Sequence, residues 1–108
     1  MTALLIPESP LQLLPTLATK IGLNEAIVLQ QIHYWLTKSK NVRDGRVWVY
    51  KSVNDWQKEF PFWSKNTIDR TLKKLEKQQL IFVGNYNKRK YDRTKWYSIQ
   101  YKTIAEIV

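Results

Sequence analysis

The sequence predicts an α+β fold, mainly helical, and three observations predict it. Residues 64–79 form a polar, basic stretch (SKNTIDRTLKKLEKQQ) whose few apolar residues recur at helical spacing. A short amphipathic stretch, 53–60, and a turn around Pro61 come just before it. Two short β-favouring runs, 80–83 and 96–101, come after it, separated by a loop crowded with charge (NYNKRKYDR). Short helix, turn, basic helix and basic hairpin, in that order, are what a winged helix-turn-helix needs to lay one helix in a DNA groove and a loop beside it. About four helices with a small antiparallel β-wing are therefore expected.

At 108 residues the chain is expected to be a single domain, 1–108. That length holds one small core but not a core plus a separate catalytic domain. Lys and Arg number 18 against 9 acids, a formal charge of +9, which favours an anionic partner such as DNA, RNA or a membrane surface. The excess is uneven: residues 64–101 carry ten Lys or Arg against three acids, so seven of the nine excess charges lie there. There is no cysteine, hence no disulfide framework, thiolate nucleophile or cysteine-based zinc site, as in proteins of a reducing cytoplasm. No cofactor and no structural metal are expected. The opening MTALLIPESPLQLLP lacks a basic n-region and is cut by Pro7, Pro10 and Pro15, so neither a signal peptide nor a membrane span is expected.

The elements follow in order. Ser9-Pro10 reads as a cap followed by Pro at a first helical position, with Pro15 splitting 10–21 into a short turn and a short helix that Gly22 stops. Asn24 is expected to cap a helix to about Lys38. Its Ile27, Val28, Leu29, Ile32, Trp35 and Leu36 leave a narrow polar side at Gln30 and His33, so it should be covered on more than one side. Asp44-Gly45 is a strong turn signal ahead of the β-favouring run Val47-Trp48-Val49-Tyr50. Ser52 can cap the helix 53–60, which aligns Val53, Trp56 and Phe60 on one face. Pro61 ends it, Phe62-Trp63 makes the turn, and Ser64 caps the basic helix.

On that basic helix, phasing at about 100° per residue puts Ile68, Leu72 and Leu75 on a core side and Asn66, Arg70, Lys73 and Lys77 on the opposite side. Such a division suits the second helix of a helix-turn-helix, the one that enters the major groove. Arg70 and Asn66 are the expected readers of base edges, because Arg pairs with guanine O6/N7 and Asn with adenine N6/N7 through bidentate hydrogen bonds. Lys73 and Lys77 are expected on phosphates, and Lys65 and Thr67 complete the candidate set on this helix. In the wing, Lys88, Arg89, Lys90 and Arg93 are expected to follow the backbone or enter a minor groove.

Other candidates for chemistry are weak. His33 has no partner at metal-ligand spacing and reads as a surface or interface histidine. Asp55 and Glu59, one helical turn apart, read as a solvated face with Lys58 beside them. Ser52 and Ser64 read as caps, since nothing offers an activating base. An enzyme is not expected. Trp35, Trp56 and Trp96 each fall on an apolar face and are expected in the core. The apolar load of residues 1–40, namely Leu4, Leu5, Ile6, Leu11 and Leu14 together with Ile32 and Trp35, is more than so short a chain easily hides. This part is the expected interface of a homodimer or higher oligomer, and 46–101 the helix-turn-helix plus wing.

Three stretches also suggest a family: IPESPLQLLPTLATKIGLNEAIVLQQIHYWL, GRVWVYKSVNDWQKEFPFWSKNTIDRTLKKLEKQQLI and KWYSIQY. Their most specific parts are I-H-Y-W, W-V-Y-K-S-x-x-x-W and F-W-S-x-x-T-I-x-R-x-L-x-x-L-E. Together they resemble the N-terminal winged-helix domain of replication proteins encoded by phages, plasmids and integrative elements of Gram-positive bacteria, the replisome organisers or DnaD-like initiators. The resemblance implies a cytoplasmic bacterial protein that binds double-stranded origin DNA or self-associates, with replisome proteins as further partners and no membrane partner. It covers the N-terminal domain alone, so helicase loading, a role of the C-terminal region in such proteins, is not among the expectations. Gln79 stands where a glycine often precedes the first wing strand, so the basic helix is expected to end without an αL glycine cap. A transcriptional repressor or anti-defence protein of a mobile element could be built on the same fold.

Overall fold

Pro15, not Pro10, starts the first helix. The computed structural model describes residues 10–89, 92 and 94–107, and in it α1 (Pro15–Ile21) has Pro at its first turn and no side-chain cap. Proline needs none there, because its fixed φ is already helical and its missing N–H would have been unpaired. Residues 10–14 form no helix. Gly22, at φ 110°, ends α1 by donating to Ala18 O (2.8 Å) and opens α2 (Leu23–Leu36) by accepting from Ala26 N (2.9 Å). Serving both helices leaves no room for a separate cap, so Asn24 lies inside the first turn and makes no cap hydrogen bond. The buried Glu25 lies over that turn instead: a Cβ on Gly22 would stand 2.1 Å from its Oε1.

The turn at Asp44-Gly45 has positive φ at both residues, 53° and 76°, as a type I′ hairpin requires. It joins β1 (Asn41–Arg43) to β2 (Arg46–Lys51). β1 is a strand the residues did not announce: all three are exposed, so no buried face imposes alternation, and the turn alone sets the pairing. Next comes α3 (Val53–Glu59), opened by a capping box in which Asp55 N donates to Ser52 Oγ (3.1 Å) and Ser52 N to Asp55 Oδ2 (3.0 Å). After a turn through Pro61, Ser64 Oγ accepts from Thr67 N (3.2 Å) and caps α4 (Lys65–Lys77).

α4 ends in a Schellman arrangement without glycine. Gln79 takes the αL position itself, at φ 61°. Gln79 N donates to Glu76 O (2.9 Å) and Leu80 N to Leu75 O (3.0 Å). The burial of Leu75 and Leu80 holds the motif in place.

β3 (Ile81–Gly84) and β4 (Lys95–Ile99) complete an antiparallel sheet of order β1-β2-β4-β3. β4 stops two residues short of the expected Tyr101. Gln100 N donates to Leu80 O (2.9 Å) and closes the ladder. The chain then enters α5 (Tyr101–Ile107), which sets Ile104 and Ile107 against the core. The described residues thus form an α+β fold with five helices and a four-stranded antiparallel sheet.

Trp56, Phe60, Ile32, Ile68, Leu75, Leu80 and Tyr97 are the most deeply buried large side chains, Trp56 stacking on Phe60 with ring centroids 6.1 Å apart. Burial pushes the Tyr97 hydroxyl up to about 12. Trp56 and Trp96 are buried as expected, and so is Trp48, whereas Trp35 is half-buried.

Candidate nucleic-acid interface

The α3–turn–α4 unit is anchored by Glu59. Its Oε1 accepts from Trp35 Nε1 and from Gln31 Nε2, both at 2.6 Å, and its Oε2 pairs with the Lys51 ammonium. That ammonium lies 4.1 Å from the centre of the Trp35 ring. One half-buried carboxylate thereby ties α3 to α2 and β2, and it sits in no solvated face with Lys58. Asp55 is spent on the capping box, whose hydrogen bonds from the Ser52 backbone and hydroxyl hold its carboxyl below the usual range. Asp55 is exposed and Glu59 is not, so the two do not share the solvated face expected of them.

On α4 the two faces separate cleanly. Ile68, Leu72 and Leu75 are buried, while Lys65, Asn66, Arg70, Lys73 and Lys77 are exposed. Thr67 is half-buried and belongs to the scaffold of the helix start: its Oγ1 lies 3.1 Å from Ser64 Oγ and 3.4 Å from Arg70 Nη2, the latter a long contact that steers Arg70 without binding it tightly. Lys73 pairs with Asp69 one turn earlier at 2.9 Å, an exposed pair whose worth is a few tenths of a kcal/mol, about 0.3–0.5. It remains available to a phosphate at little cost. Among the described residues, Lys65, Arg70 and Lys77 have no carboxylate partner. Lys74, not among the expected residues, reaches Glu25 at 3.6 Å and lines a cleft between α2 and α4 with Asn24, Thr67 and Arg70.

The described residues of the β3–β4 loop are held together by Asn87. Its Oδ1 accepts from Trp96 Nε1 (2.8 Å), and its Nδ2 donates to Asp92 O (2.9 Å) and Thr94 O (2.7 Å). Asp92 in turn accepts from Tyr50 OH (2.7 Å) and Thr94 N (3.0 Å), which hold its carboxyl below the usual range. Lys88 and Arg89 are exposed on this frame. Lys90 and Arg93 lie outside the described residues.

Compared with known proteins, the chain matches no family model and has no significant match among curated proteins or solved structures.

The expected interface set divides. Ile32 is 0% exposed and belongs to the core, so it has no surface to offer a second chain. On the polar strip of α2, His33 is half-buried and its Nδ1 lies 2.8 Å from Tyr101 OH at the start of α5. Trp35 is committed within the chain through Glu59 and Lys51. Leu11 is half-buried against the core, Leu14 is 48% exposed, and the unanticipated Leu13 next to it and Leu23 at the start of α2 are 44% and 56% exposed. Leu4, Leu5 and Ile6 lie outside the described residues.

Sequence reasoning passed over Arg43 and Arg46. Both flank the Asp44-Gly45 turn, and the signal was there: a two-residue hairpin puts Arg46 on the same strand face as Trp48 and Tyr50. Among the described residues, no cluster of three His, Cys, Asp or Glu is placed to hold a metal ion, and no helix is long and apolar enough to cross a membrane.

Proposed function

We propose that this chain is a double-stranded DNA-binding module of the winged helix-turn-helix type, acting without enzymatic chemistry in replication initiation of a phage, plasmid or integrative element. One observation carries the binding part: a capped helix whose one face is fully sunk in the core and whose other face offers Lys65, Asn66, Arg70 and Lys77 to solvent. On this reading α3 and α4 are the helix-turn-helix, β3 and β4 the wing, and β2 the third strand beside them in the order β2-β4-β3. Asn66 and Arg70 read base edges, while Lys65, Lys73, Lys77, Lys88 and Arg89 meet phosphates. The replication role rests on the family resemblance of the sequence.

The test is binding to the element's own origin duplex against random duplex at several salt concentrations. A preference for the origin that survives rising salt supports sequence reading; equal affinity for every duplex at every salt overturns it.

A second reading, self-association, is favoured by Leu13, Leu14 and Leu23, large apolar side chains left about half exposed. It is compatible with the first, since helix-turn-helix proteins commonly read paired half-sites as dimers. Light scattering decides it: a strict monomer at tens of micromolar ends it.

A further inference from the structure

The sheet has two faces of different character. Val49, Tyr97, Ile81 and Ile99 point into the core, whereas Trp48 and Trp96 are buried without belonging to that core cluster. They are covered from outside by other rings. The register sets Tyr50 and Gly84 opposite Trp96 on either side. Tyr86 folds back so that its ring centre is 5.2 Å from Trp48 and 5.4 Å from Trp96, and Tyr50 lies 5.4 Å from Trp96. Gly84 permits this closure, because a Cβ there would stand 3.1 Å from the Tyr86 ring and 3.5 Å from Trp48.

Cations sit among these rings. The Arg43 guanidinium is 5.3 Å from the centre of Trp96 and that of Arg46 is 3.8 Å from Phe82. Between the β1–β2 hairpin and the β3–β4 loop lies a concavity of about 310 Å³, lined by Arg43, Tyr50, Tyr86, Lys88, Arg89 and Trp96 among others. Asp92, the carboxylate among its lining residues, accepts from Tyr50 OH (2.7 Å), and Asp44 in the hairpin turn accepts from Tyr86 OH (2.5 Å). Those bonds hold the tyrosines by their hydroxyls and leave ring surface outward: Tyr50 is 43% exposed.

We propose that this outer face is a binding site for a single nucleic-acid strand, with an unpaired base stacking on Tyr50 and the adjacent phosphates meeting Arg43 and Lys88. Aromatic rings interleaved with cations in an open groove are the chemistry by which single strands are held without sequence readout. A duplex offers no base faces to such rings. An acidic peptide would use the cations and leave the rings idle. The concavity is at the small end of ligand sites, a size for one nucleotide of a longer strand. Lys88 is shared with the duplex reading, whereas neither Arg43 nor Tyr50 belongs to the α4 face or to the residues assigned to duplex contact, so these two separate the sites.

The experiment is fluorescence anisotropy of the full chain with a labelled oligothymidylate and, separately, a labelled duplex, alongside the intrinsic fluorescence of the tryptophans. Tyr50→Ala should weaken oligothymidylate binding on the order of tenfold, and Tyr50→Phe, which keeps the ring, should restore it. Arg43→Ala, on an exposed hairpin, gives an independent loss where circular dichroism finds Tyr50→Ala misfolded. Neither change should move duplex affinity, whereas Arg70→Ala should lower only the latter. The proposal is overturned if an abasic oligonucleotide binds as tightly as oligothymidylate, if poly-glutamate displaces the strand at equal charge concentration, or if Arg70→Ala removes strand and duplex binding alike.

Discussion

Glu59 Oε1 accepts the indole N–H of Trp35 at 2.6 Å while the other carboxylate oxygen holds Lys51. A charge pair in a half-buried site is stabilising only while both partners stand, since removing one leaves the other poorly solvated. Glu59→Ala should therefore destabilise the fold by about 2 kcal/mol, and Glu59→Gln by less, because the amide oxygen still accepts from Trp35. Denaturant melts of the three proteins check this; an alanine variant as stable as the parent would remove Glu59 from its anchoring role.

The end of α4 offers a stabilising change. Gln79 holds αL geometry at φ 61°, where an L side chain is disfavoured by about 1–2 kcal/mol and glycine is not. Gln79→Gly should raise stability by about 1 kcal/mol after its added unfolded-state entropy is discounted. The urea midpoint should rise with an unchanged slope. A lower midpoint would mean the Gln79 side chain makes a contribution that its backbone does not reveal.

Acid should act through Asp55 and Asp92. Hydrogen bonds hold both carboxyls below their ordinary value of 3.8. A group with a depressed folded-state pKa contributes stability that is fully present above the unfolded value and is lost as pH falls through the folded one. Thermal melts from about pH 6 down to about pH 2 should therefore fall below the ordinary Asp range, and Asp55→Asn should flatten part of that fall. Identical pH profiles for parent and variant would count against the capping box as the source. Ser52→Ala removes the other half of the box and should cost about 1 kcal/mol at neutral pH.

What could be read from the residues alone was whatever depends on local chemistry. The caps at Ser52 and Ser64, the turn at Asp44-Gly45 and the core stripe Ile68, Leu72 and Leu75 are set by neighbours within a few residues, and all lie where the spacing put them. What could not be read depends on distant partners. Tyr97, Ile99 and Tyr101 alternate as a strand does, yet Tyr101, Ile104 and Ile107 also recur at helical spacing, and only the core surface beneath α5 chose between the two. Ile32 looked surplus on an apolar helix until β2, β4 and α4 closed over α2. Glu59 looked solvated because Trp35 and Lys51 are 24 and 8 residues away. The candidate site follows the same rule. The α4 face comes from phasing, and the separate aromatic face of the sheet emerges only once the hairpin brings Arg43 over Trp96.

The duplex reading separates two kinds of contact on one helix. Arg70 is exposed and, among the described residues, its side chain makes only the 3.4 Å contact to Thr67, so its guanidinium can turn to a guanine edge. Arg70→Ala should weaken origin binding by about 1–3 kcal/mol and narrow the gap between origin and random duplex. Lys77, at the far end of α4, has no carboxylate partner among the described residues and is suited to a phosphate. Lys77→Ala should weaken all duplexes alike and reduce the slope of log affinity against log salt by about 1. Salt titrations of both variants on both duplexes make the check. If Lys77→Ala changed the origin preference and Arg70→Ala changed only the salt slope, the helix would be docked with its polarity reversed, and the assignment of its N-terminal turn to base reading would fall.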